Sequence, residues 1–291
     1  MKIFDTHIAL VLVSAALFIG LARESREGLQ GNTVSTNVHD GSIRRVVSLS
    51  PSITRQMADL GAQDLLVGVT TYHPPLEKEV EVVSTVVQPN LERIYALRPQ
   101  AVFFSGDDVI ALQGERLRVL GLPVIIFEKN FGFDDICRNY IRLAALLGRE
   151  AKGHARVKYY REELLRQRRA PGVRCAFFVS HNPLVAAGGS SFIDAVIRDS
   201  GGVNVFGGVD IPYPIVSLET LAAREPEVII SMMPGAVEFF SSILKDMPAC
   251  PALESGRVFS VKDDHIPYYT PRDYLESVRL ISMLLDGEHS R

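Results

Sequence analysis

The sequence lacks the short motifs by which many enzymes and nucleotide-binding proteins are identified. It contains no G-x-G-x-x-G or G-x-x-x-x-G-K loop for phosphates and no nucleophile elbow of a serine hydrolase. The net charge is −3, without the basic excess that is typical of a nucleic-acid-binding protein. Ser180, His181 and Asp194 would form a triad only if the fold brought them together. We therefore predict that the protein is neither an enzyme nor a binder of nucleic acid.

Cysteine is scarce, and its spacing excludes the common zinc motifs. The three cysteines, Cys137, Cys175 and Cys250, are widely separated, and no C-x-x-C pair exists. Their number leaves room for one disulfide and one free thiol. Cys175 lies in a predicted core strand, where cysteine commonly packs as a small apolar side chain. Cysteine chemistry is therefore not the expected function.

A fifteen-residue pattern recurs at positions 90–104 and 217–231, with a constant offset of 127 residues. Each copy begins with a residue that favours a helix N-cap, Asn90 or Ser217. A glutamate, a short amphipathic stretch, a proline and an apolar strand follow in each copy. Two copies of one helix–strand unit predict two similar lobes, and a cleft between lobes is a favoured place for a ligand.

Short apolar runs alternate with helical patterns in both halves, which predicts mostly parallel, helix-covered sheets. The predicted fold class is α/β, with two Rossmann-like lobes joined by one long rigid helix, and an amphipathic helix over residues 271–285 closes the second lobe. The predicted organisation is a signal peptide or membrane anchor at residues 1–22, a flexible tether at 23–42, an N-terminal α/β lobe at 43–148, a linking helix at 149–170 and a C-terminal α/β lobe at 171–291.

The N-terminal segment predicts export. Residues 8–22 form a run without charge, shorter than the roughly 20 apolar residues of a membrane span and suited to a signal peptide. Gly20 and Ala22 supply small residues at the end of this run, where a signal peptidase would cut, and an uncleaved anchor is the alternative. The first cysteine is Cys137, so a lipoprotein is not expected. We predict a periplasmic or otherwise extracytoplasmic protein.

Several motifs together resemble one protein family. They are Arg45 to Ser52, Val67 to Tyr72, Asn90 to Ile94 with Leu97 to Pro99, and Pro212 to Pro214 before Ser217 to Glu219. The chain resembles the cobalamin, haem and siderophore substrate-binding proteins of ABC importers over almost all of residues 43–285. The resemblance implies two α/β lobes joined by one helix, and a monomer that partners an ABC permease dimer with its ATPase subunits.

The resemblance also implies a role for the repeated glutamates. In that family, the glutamate of each repeat docks into arginine pockets of the permease, which here gives Glu92 and Glu219. The alternative is that each acid only stabilises the first turn of its helix, worth about 0.3–1 kcal/mol. Their equivalent positions in both lobes favour docking, because two carboxylates can meet two arginine pockets.

The ligand is expected at loops that follow the carboxyl ends of the strands. These loops concentrate tyrosine, histidine and aspartate, which suits a flat, partly polar ligand. The resemblance implies that Tyr72 and Tyr213 stack on the ligand and that Asp264 and Arg272 lie near its polar groups. The full set of predicted ligand-binding residues is Ser50, Tyr72, His73, His181, Tyr213, Asp264, His265, Tyr268 and Arg272.

The sequence departs from the cobalamin-binding pattern at two points. It contains no tryptophan, and Val86 stands near the position of a cobalamin-stacking tryptophan, while Ser200 replaces an expected disulfide cysteine. Haem remains a candidate because tyrosine and histidine ligate iron, and a ferric siderophore is another. No cofactor is expected beyond the iron or cobalt of the cargo. The alternatives are a membrane-tethered ligand-sensing module and a divalent-metal-binding protein.

Overall fold

The computed structural model describes residues 43–85, 88–106, 113–167, 172–244, 250–261 and 270–287, which form two compact units. Among these residues, the first unit contains 43–163 and 270–275, and the second contains 164–261 and 276–287. None of the helices in the described ranges is both long and apolar enough to cross a membrane. The predicted signal and tether lie outside the described residues, and the predicted lobe limits stay predictions.

The first unit is a parallel sheet with helices, as the sequence predicts. Its elements are β1 (Val46–Ser48), α1 (Pro51–Asp59), β2 (Leu66–Thr70), β3 (Glu81–Ser84), α2 (Leu91–Ala96), β4 (Ala101–Ser105), α3 (Gly114–Val119), β5 (Val124–Phe127), α4 (Phe133–Leu146) and most of α5 (Glu150–Gln167). The five strands are parallel in the order β3-β2-β1-β4-β5. Val47, Val102 and Phe104 are buried together in its core, and β4 is buried at every position, which explains why β4 is an apolar run rather than an alternating strand.

The second unit is mostly parallel. Its elements are β6 (Val173–His181), β7 (Leu184–Ala186), α6 (Phe192–Asp199), β8 (Gly202–Asn204), α7 (Leu218–Ala223), β9 (Val228–Ser231), α8 (Ala236–Leu244), α9 (Pro251–Glu254), β10 (Val258–Ser260) and most of α10 (Pro271–Asp286). The strands follow the order β10-β9-β6-β7, and β8 pairs with the beginning of β6. Only β7 runs antiparallel among the strands paired in the described sheet.

The two sequence repeats form equivalent helices, α2 and α7. The Oδ1 atom of Asn90 accepts a hydrogen bond from the N–H of Arg93 at 3.0 Å. The Oγ atom of Ser217 accepts one from the N–H of Thr220 at 3.2 Å. Both side chains therefore satisfy a backbone donor that the first helical turn leaves unpaired, and the predicted N-caps are confirmed.

The repeats also end in the same way. The Nη2 atom of Arg45 donates to the carbonyl oxygen of Leu97 at 2.7 Å, and Arg174 donates to the carbonyl oxygen of Arg224. Leu97 and Arg224 are the C-cap residues of α2 and α7. A guanidinium at a helix C-terminus is favourable because the last carbonyl groups carry partial negative charge. The duplication thus extends from sequence to specific contacts.

Helix α5 is attached to the first unit by close packing and by a partly buried polar network. A Cβ atom on Gly153 would lie 2.6 Å from the Cβ atom of Ala144, so glycine permits the approach of α5 to α4. Tyr140 donates its hydroxyl to Asp59, whose Oδ1 atom lies 3.3 Å from Nη1 of Arg156. Because Tyr140 is fully buried, this carboxylate satisfies a hydroxyl that water does not reach.

The cysteines are structural. Cys137, Cys175 and Cys250 are all buried and free, so the disulfide that the sequence left open is absent. Burial raises the pKa of both Cys137 and Cys175 to about 12. Neutral, inaccessible thiols are poor nucleophiles and metal ligands. They therefore pack as apolar side chains, as predicted for Cys175.

Candidate functional site

The carboxyl ends of β1, β2, β4 and β5 lie at one edge of the first sheet, because these strands are parallel. Ser50 follows β1 and is fully buried, with its Oγ atom 2.8 Å from that of Ser52. Thr54 donates to the Oγ atom of Ser48 at 2.9 Å. These hydroxyls satisfy one another beneath the edge. Direct contact between Ser50 and a ligand stays a prediction.

Tyr72 and His73 follow β2 at the same edge. The side chain of Tyr72 is 41% exposed. The Nδ1 atom of His73 lies 2.7 Å from the carbonyl oxygen of Pro74, which can only accept, so the neutral ring carries its proton on Nδ1. The Nε2 atom then presents a lone pair. A histidine oriented by such a backbone hydrogen bond is typical of metal ligands.

The loop after β5 was missed by the sequence analysis. It presents Phe131, which is 55% exposed. The Nδ2 group of Asn139 donates hydrogen bonds to the carbonyl oxygen of Glu128 at 2.8 Å and to Oδ1 of Asn130 at 2.9 Å. The N–H of Phe131 donates to Oδ2 of Asp135 at 2.8 Å. The available signal was an aromatic residue shortly after an apolar strand and before a glycine and a helix.

His181 is the last residue of β6 in the second unit. Its Nε2 atom lies 2.8 Å from the Oγ atom of Ser231. Its ring stacks on Phe239 with centroids 4.1 Å apart and planes within 5°. Burial lowers the pKa of His181, which favours a neutral ring. Because Ser231 is fully buried, its hydroxyl orients the histidine and is not accessible as a nucleophile.

The triad alternative is wrong for Ser180, His181 and Asp194. Asp194 accepts a hydrogen bond from Nδ2 of Asn204 at 2.9 Å and pairs with Arg198 at 3.0 Å. His181 bonds instead to the buried serine at the end of β9. The carboxylate therefore connects α6 to the end of β8 and does not orient the histidine, as a catalytic triad requires.

Two glycines hold the loop that contains Tyr213. The N–H of Gly188 donates to the carbonyl oxygen of Pro212 at 2.9 Å, and that of Gly189 donates to Val209 at 2.9 Å. The N–H groups of both glycines are engaged in this way and are not available to bind an anion. Tyr213 is partly exposed on a loop whose backbone is fixed on both sides.

The remaining predicted ligand residues fall at the end of the chain. Asp264, His265 and Tyr268 lie outside the described residues. Arg272 lies in the first turn of α10, within the first unit. Its neighbour Asp273 is buried and pairs with Nε of Arg55 at 3.0 Å. This ion pair connects the start of α10 to α1.

The two predicted docking residues occupy equivalent exposed positions. Glu92 and Glu219 lie in the first turns of α2 and α7. Hydrogen bonds from Ser217 and from its own backbone N–H lower the pKa of Glu219, so it is charged at neutral pH. An open groove of about 790 Å³ lies beside Glu219 in the second unit. Its lining includes no predicted ligand residue; it comprises Arg174, Val203, Asn204, Val205, Gly208, Glu219, Thr220, Ala223 and Arg224.

Within the part of the chain that the structure describes, no cluster of three histidine, cysteine, aspartate or glutamate side chains could hold a metal ion. The divalent-metal alternative would use His73, His181 and Asp264, and Asp264 lies outside that part. The described side chains instead combine exposed aromatic rings with oriented histidines at strand ends. Such side chains suit an organic ligand with a flat face and a metal centre.

Two α/β units that repeat one helix–strand motif are the architecture expected of a two-lobed ligand-binding protein. Residues 46–265 match the family described as periplasmic binding protein. The chain therefore belongs to the periplasmic binding protein family. This match covers both units, so the family assignment does not depend on one lobe alone.

Individual proteins that are similar to this chain are periplasmic or vitamin B12-binding proteins, as the family assignment leads us to expect. The vitamin B12-binding protein of Vibrio parahaemolyticus is 30% identical over 236 residues, which are 79% of this chain and 85% of the relative. The structure of the periplasmic vitamin B12-binding protein of Vibrio cholerae has a TM-score of 0.71 at 22% identity, covering 86% of this chain and 99% of its own. The periplasmic haem-binding protein of the same organism has a TM-score of 0.72 at 17% identity, covering 83% and 98%. At these identities the two structures show the fold alone.

Proposed function

We propose that the protein is the extracytoplasmic substrate-binding component of an ABC importer. It captures an iron complex (a siderophore or haem) or cobalamin and delivers it to the permease. One observation carries this proposal: the similarity to a vitamin B12-binding protein extends over 79% of the chain at 30% identity. Two α/β units with aromatic and histidine side chains at their strand ends support it.

The ligand contacts are assigned to the carboxyl-end loops. Tyr72 and Tyr213 supply ring stacking, a role that falls to tyrosine because the chain contains no tryptophan. His73 and His181 supply nitrogen atoms held in defined orientations by Pro74 and Ser231. The remaining assigned contacts are Ser50, Asp264, His265, Tyr268 and Arg272.

The orientation of His73 supports a ligand that contains a metal. Its Nε2 lone pair is suited to an iron or cobalt centre with an open coordination position. The metal arrives with the cargo, and the protein needs no cofactor of its own. Without a nucleophile–base pair accessible to a substrate among the described residues, binding and not catalysis is the activity that we propose.

Delivery uses the two exposed glutamates. Glu92 and Glu219 stand at the same position of two equivalent helices, so they can meet two equivalent subunits of a permease dimer. Arginine pockets would hold each carboxylate by paired, charge-assisted hydrogen bonds. The protein acts as a monomer, since each of its two units then supplies one of the two contacts.

The test is a ligand titration of the protein purified from the extracytoplasmic fraction of cells that express the full chain. Haem, cyanocobalamin and a ferric hydroxamate siderophore are added separately, and binding is followed by ligand absorbance. We expect one of these classes to bind with a dissociation constant in the micromolar range or below. His73→Gln should alter the absorbance spectrum of a bound metal centre, whereas His154→Gln, at an exposed position of α5, should not.

Two results would contradict the proposal. Failure of all three ligand classes to bind at micromolar concentration would exclude the proposed cargo. Binding without any uptake in cells that contain the candidate permease would instead favour the membrane-tethered sensing module.

A further inference from the structure

We propose that Phe131 is a ligand-contacting residue that sets the width of the ligand which the first unit accepts. The inference rests on the proposed function, since it concerns the same ligand. It adds the loop after β5 to the predicted loops, and it narrows the cargo to large ligands with an apolar face.

Phe131 is exposed, and hydrogen bonds hold the backbone of its loop in place. Asn139 holds the backbone of Glu128 and the side chain of Asn130. Asp135 holds the N–H of Phe131 itself. An aromatic side chain presented by a fixed backbone loses little conformational entropy on binding, which favours contact with a ligand.

A hydrogen bond between the ends of β4 and β5 also holds the start of this loop in place. The N–H of Gly106 donates to the carbonyl oxygen of Phe127 at 2.8 Å. A Cβ atom on Gly106 would lie 2.8 Å from the same oxygen and 3.1 Å from the nitrogen of Lys129. Glycine is therefore required for the ends of β4 and β5 to approach so closely. The result is a second support for the backbone that leads to Phe131.

The start of α4 does not explain the exposed ring. Phe131 occupies the position before the N-cap, Gly132, where an apolar residue often packs against the fourth helical residue. That residue, Ile136, is fully buried, but Phe131 remains 55% exposed. Asp135 already satisfies the backbone at this helix start. More than half of the Phe131 side chain is thus left for another contact.

The position of Phe131 on the loop after β5 indicates the size of a ligand that also contacts Tyr72. Tyr72 follows β2 and Phe131 follows β5, and the sheet order places β1 and β4 between these strands. Three strand spacings of about 4.8 Å separate the two strand ends by roughly 14 Å. A ligand that touches both rings must be broad, as a macrocyclic metal chelate is.

The experiment compares variants of the full, exported protein by titration with haem, cyanocobalamin and a ferric hydroxamate siderophore. For the class that the wild type binds, Phe131→Ala should raise the dissociation constant about tenfold, because an aromatic contact of this size is lost. Phe131→Tyr should keep it within about threefold, since the ring is retained. Tyr95→Ala removes a ring of matched exposure, 57%, from helix α2 and should leave affinity unchanged.

A second readout separates contact from general destabilisation. The chain contains no tryptophan, so Phe131→Trp introduces a single fluorescent reporter, as does Tyr95→Trp. Bound ligand should protect the reporter at position 131 from quenching by acrylamide and leave the one at position 95 accessible. A purely structural role for Phe131 would change the thermal midpoint without producing this protection.

The titrations distinguish failure of the role of Phe131 from failure of the proposed function. If the wild type binds one ligand class and Phe131→Ala binds it equally well, the role of Phe131 is wrong while the proposed function stands. Equal acrylamide accessibility at position 131 with and without ligand has the same meaning. If the wild type binds none of the three classes, both the proposed function and the role of Phe131 are wrong.

Discussion

Arg98 and Glu225, separated by 127 residues, have the same left-handed backbone conformation, with φ of 45° and 42°. Each follows the C-cap residue of its helix and precedes a buried proline, Pro99 or Pro226. A side chain with a Cβ atom disfavours this conformation by about 1–2 kcal/mol. Because the two side chains carry opposite charges, the repeat preserves the course of the backbone here and not the chemistry of the side chain.

Glycine at either position should therefore stabilise the protein. Arg98→Gly and Glu225→Gly each remove the Cβ clash, although glycine also raises the entropy of the unfolded chain. We expect the free energy of unfolding to rise by up to about 1 kcal/mol for each variant. Urea denaturation followed by circular dichroism measures this change. Arg98→Ala keeps the Cβ atom and should show no gain; an equal gain for alanine would assign the effect to the lost arginine.

Charge reversal at both glutamates should separate docking from ligand binding. In the variant with Glu92→Arg and Glu219→Arg, both exposed carboxylates become cations at the proposed permease contact. Uptake should be abolished, because like charges facing each other cost several kcal/mol. The dissociation constant of the ligand should stay within about twofold, since surface substitutions far from a site are usually near neutral. Either single change should reduce uptake less than the pair.

A matched control uses acids that lie elsewhere on the surface. Glu162→Arg with Glu254→Arg makes the same change of net charge, one residue in each unit, at exposed positions. This variant should transport normally. If the Glu92 and Glu219 pair instead loses ligand binding and keeps uptake, the two residues belong to the ligand site.

Much of the fold could be predicted from the sequence because its signals are local. Asn90 and Ser217 satisfy donors three residues ahead, and Gly61 and Gly201 end their helices with φ of 67° and 82°. Such interactions depend on neighbouring residues only, so a pattern of residue types identifies them. Because the pattern at 90–104 recurs at 217–231, a helix and strand predicted in one half were also predicted at the equivalent position of the other half.

The site was less accessible to sequence reasoning, because its geometry depends on residues far apart in the chain. His181 is oriented by Ser231, fifty residues later, and no local pattern indicates that pair. Phe131 belongs with Tyr72 only once the strand order β3-β2-β1-β4-β5 is known. Strand order and cross-strand partners are properties of tertiary packing.

The pKa of His181 predicts a specific dependence of stability on pH. Burial lowers the pKa in the folded state below the ordinary value of 6.5, so the unfolded state binds the proton more readily. The contribution of the neutral, buried His181 ring to the free energy of unfolding is therefore complete above about pH 6.5, and it decreases as the pH falls below that value. Between about pH 7.5 and 5.5, the wild type should therefore lose more stability than His181→Phe, which keeps a ring against Phe239.

Urea denaturation at both pH values measures this difference. His181→Gln provides a second variant without an ionisable group, and it should show the same reduced pH dependence even if its absolute stability differs. If both variants retain the full pH dependence of the wild type, another group titrates in this range and the assignment to His181 is wrong.

Gly189 and Gly208 have contrasting surroundings. A Cβ atom on Gly189 would lie 2.0 Å from the carbonyl oxygen of Gly207, whereas one on Gly208 meets nothing within 4 Å. Gly189→Ala must therefore displace the loop, break the hydrogen bond to Val209 and move Tyr213. We expect a loss of at least about 2 kcal/mol in the free energy of unfolding and weaker ligand binding, whereas Gly208→Ala should stay within about 0.5 kcal/mol of the wild type. Urea denaturation and ligand titration of both variants test this contrast, and wild-type values for Gly189→Ala would show that the loop does not depend on this close contact.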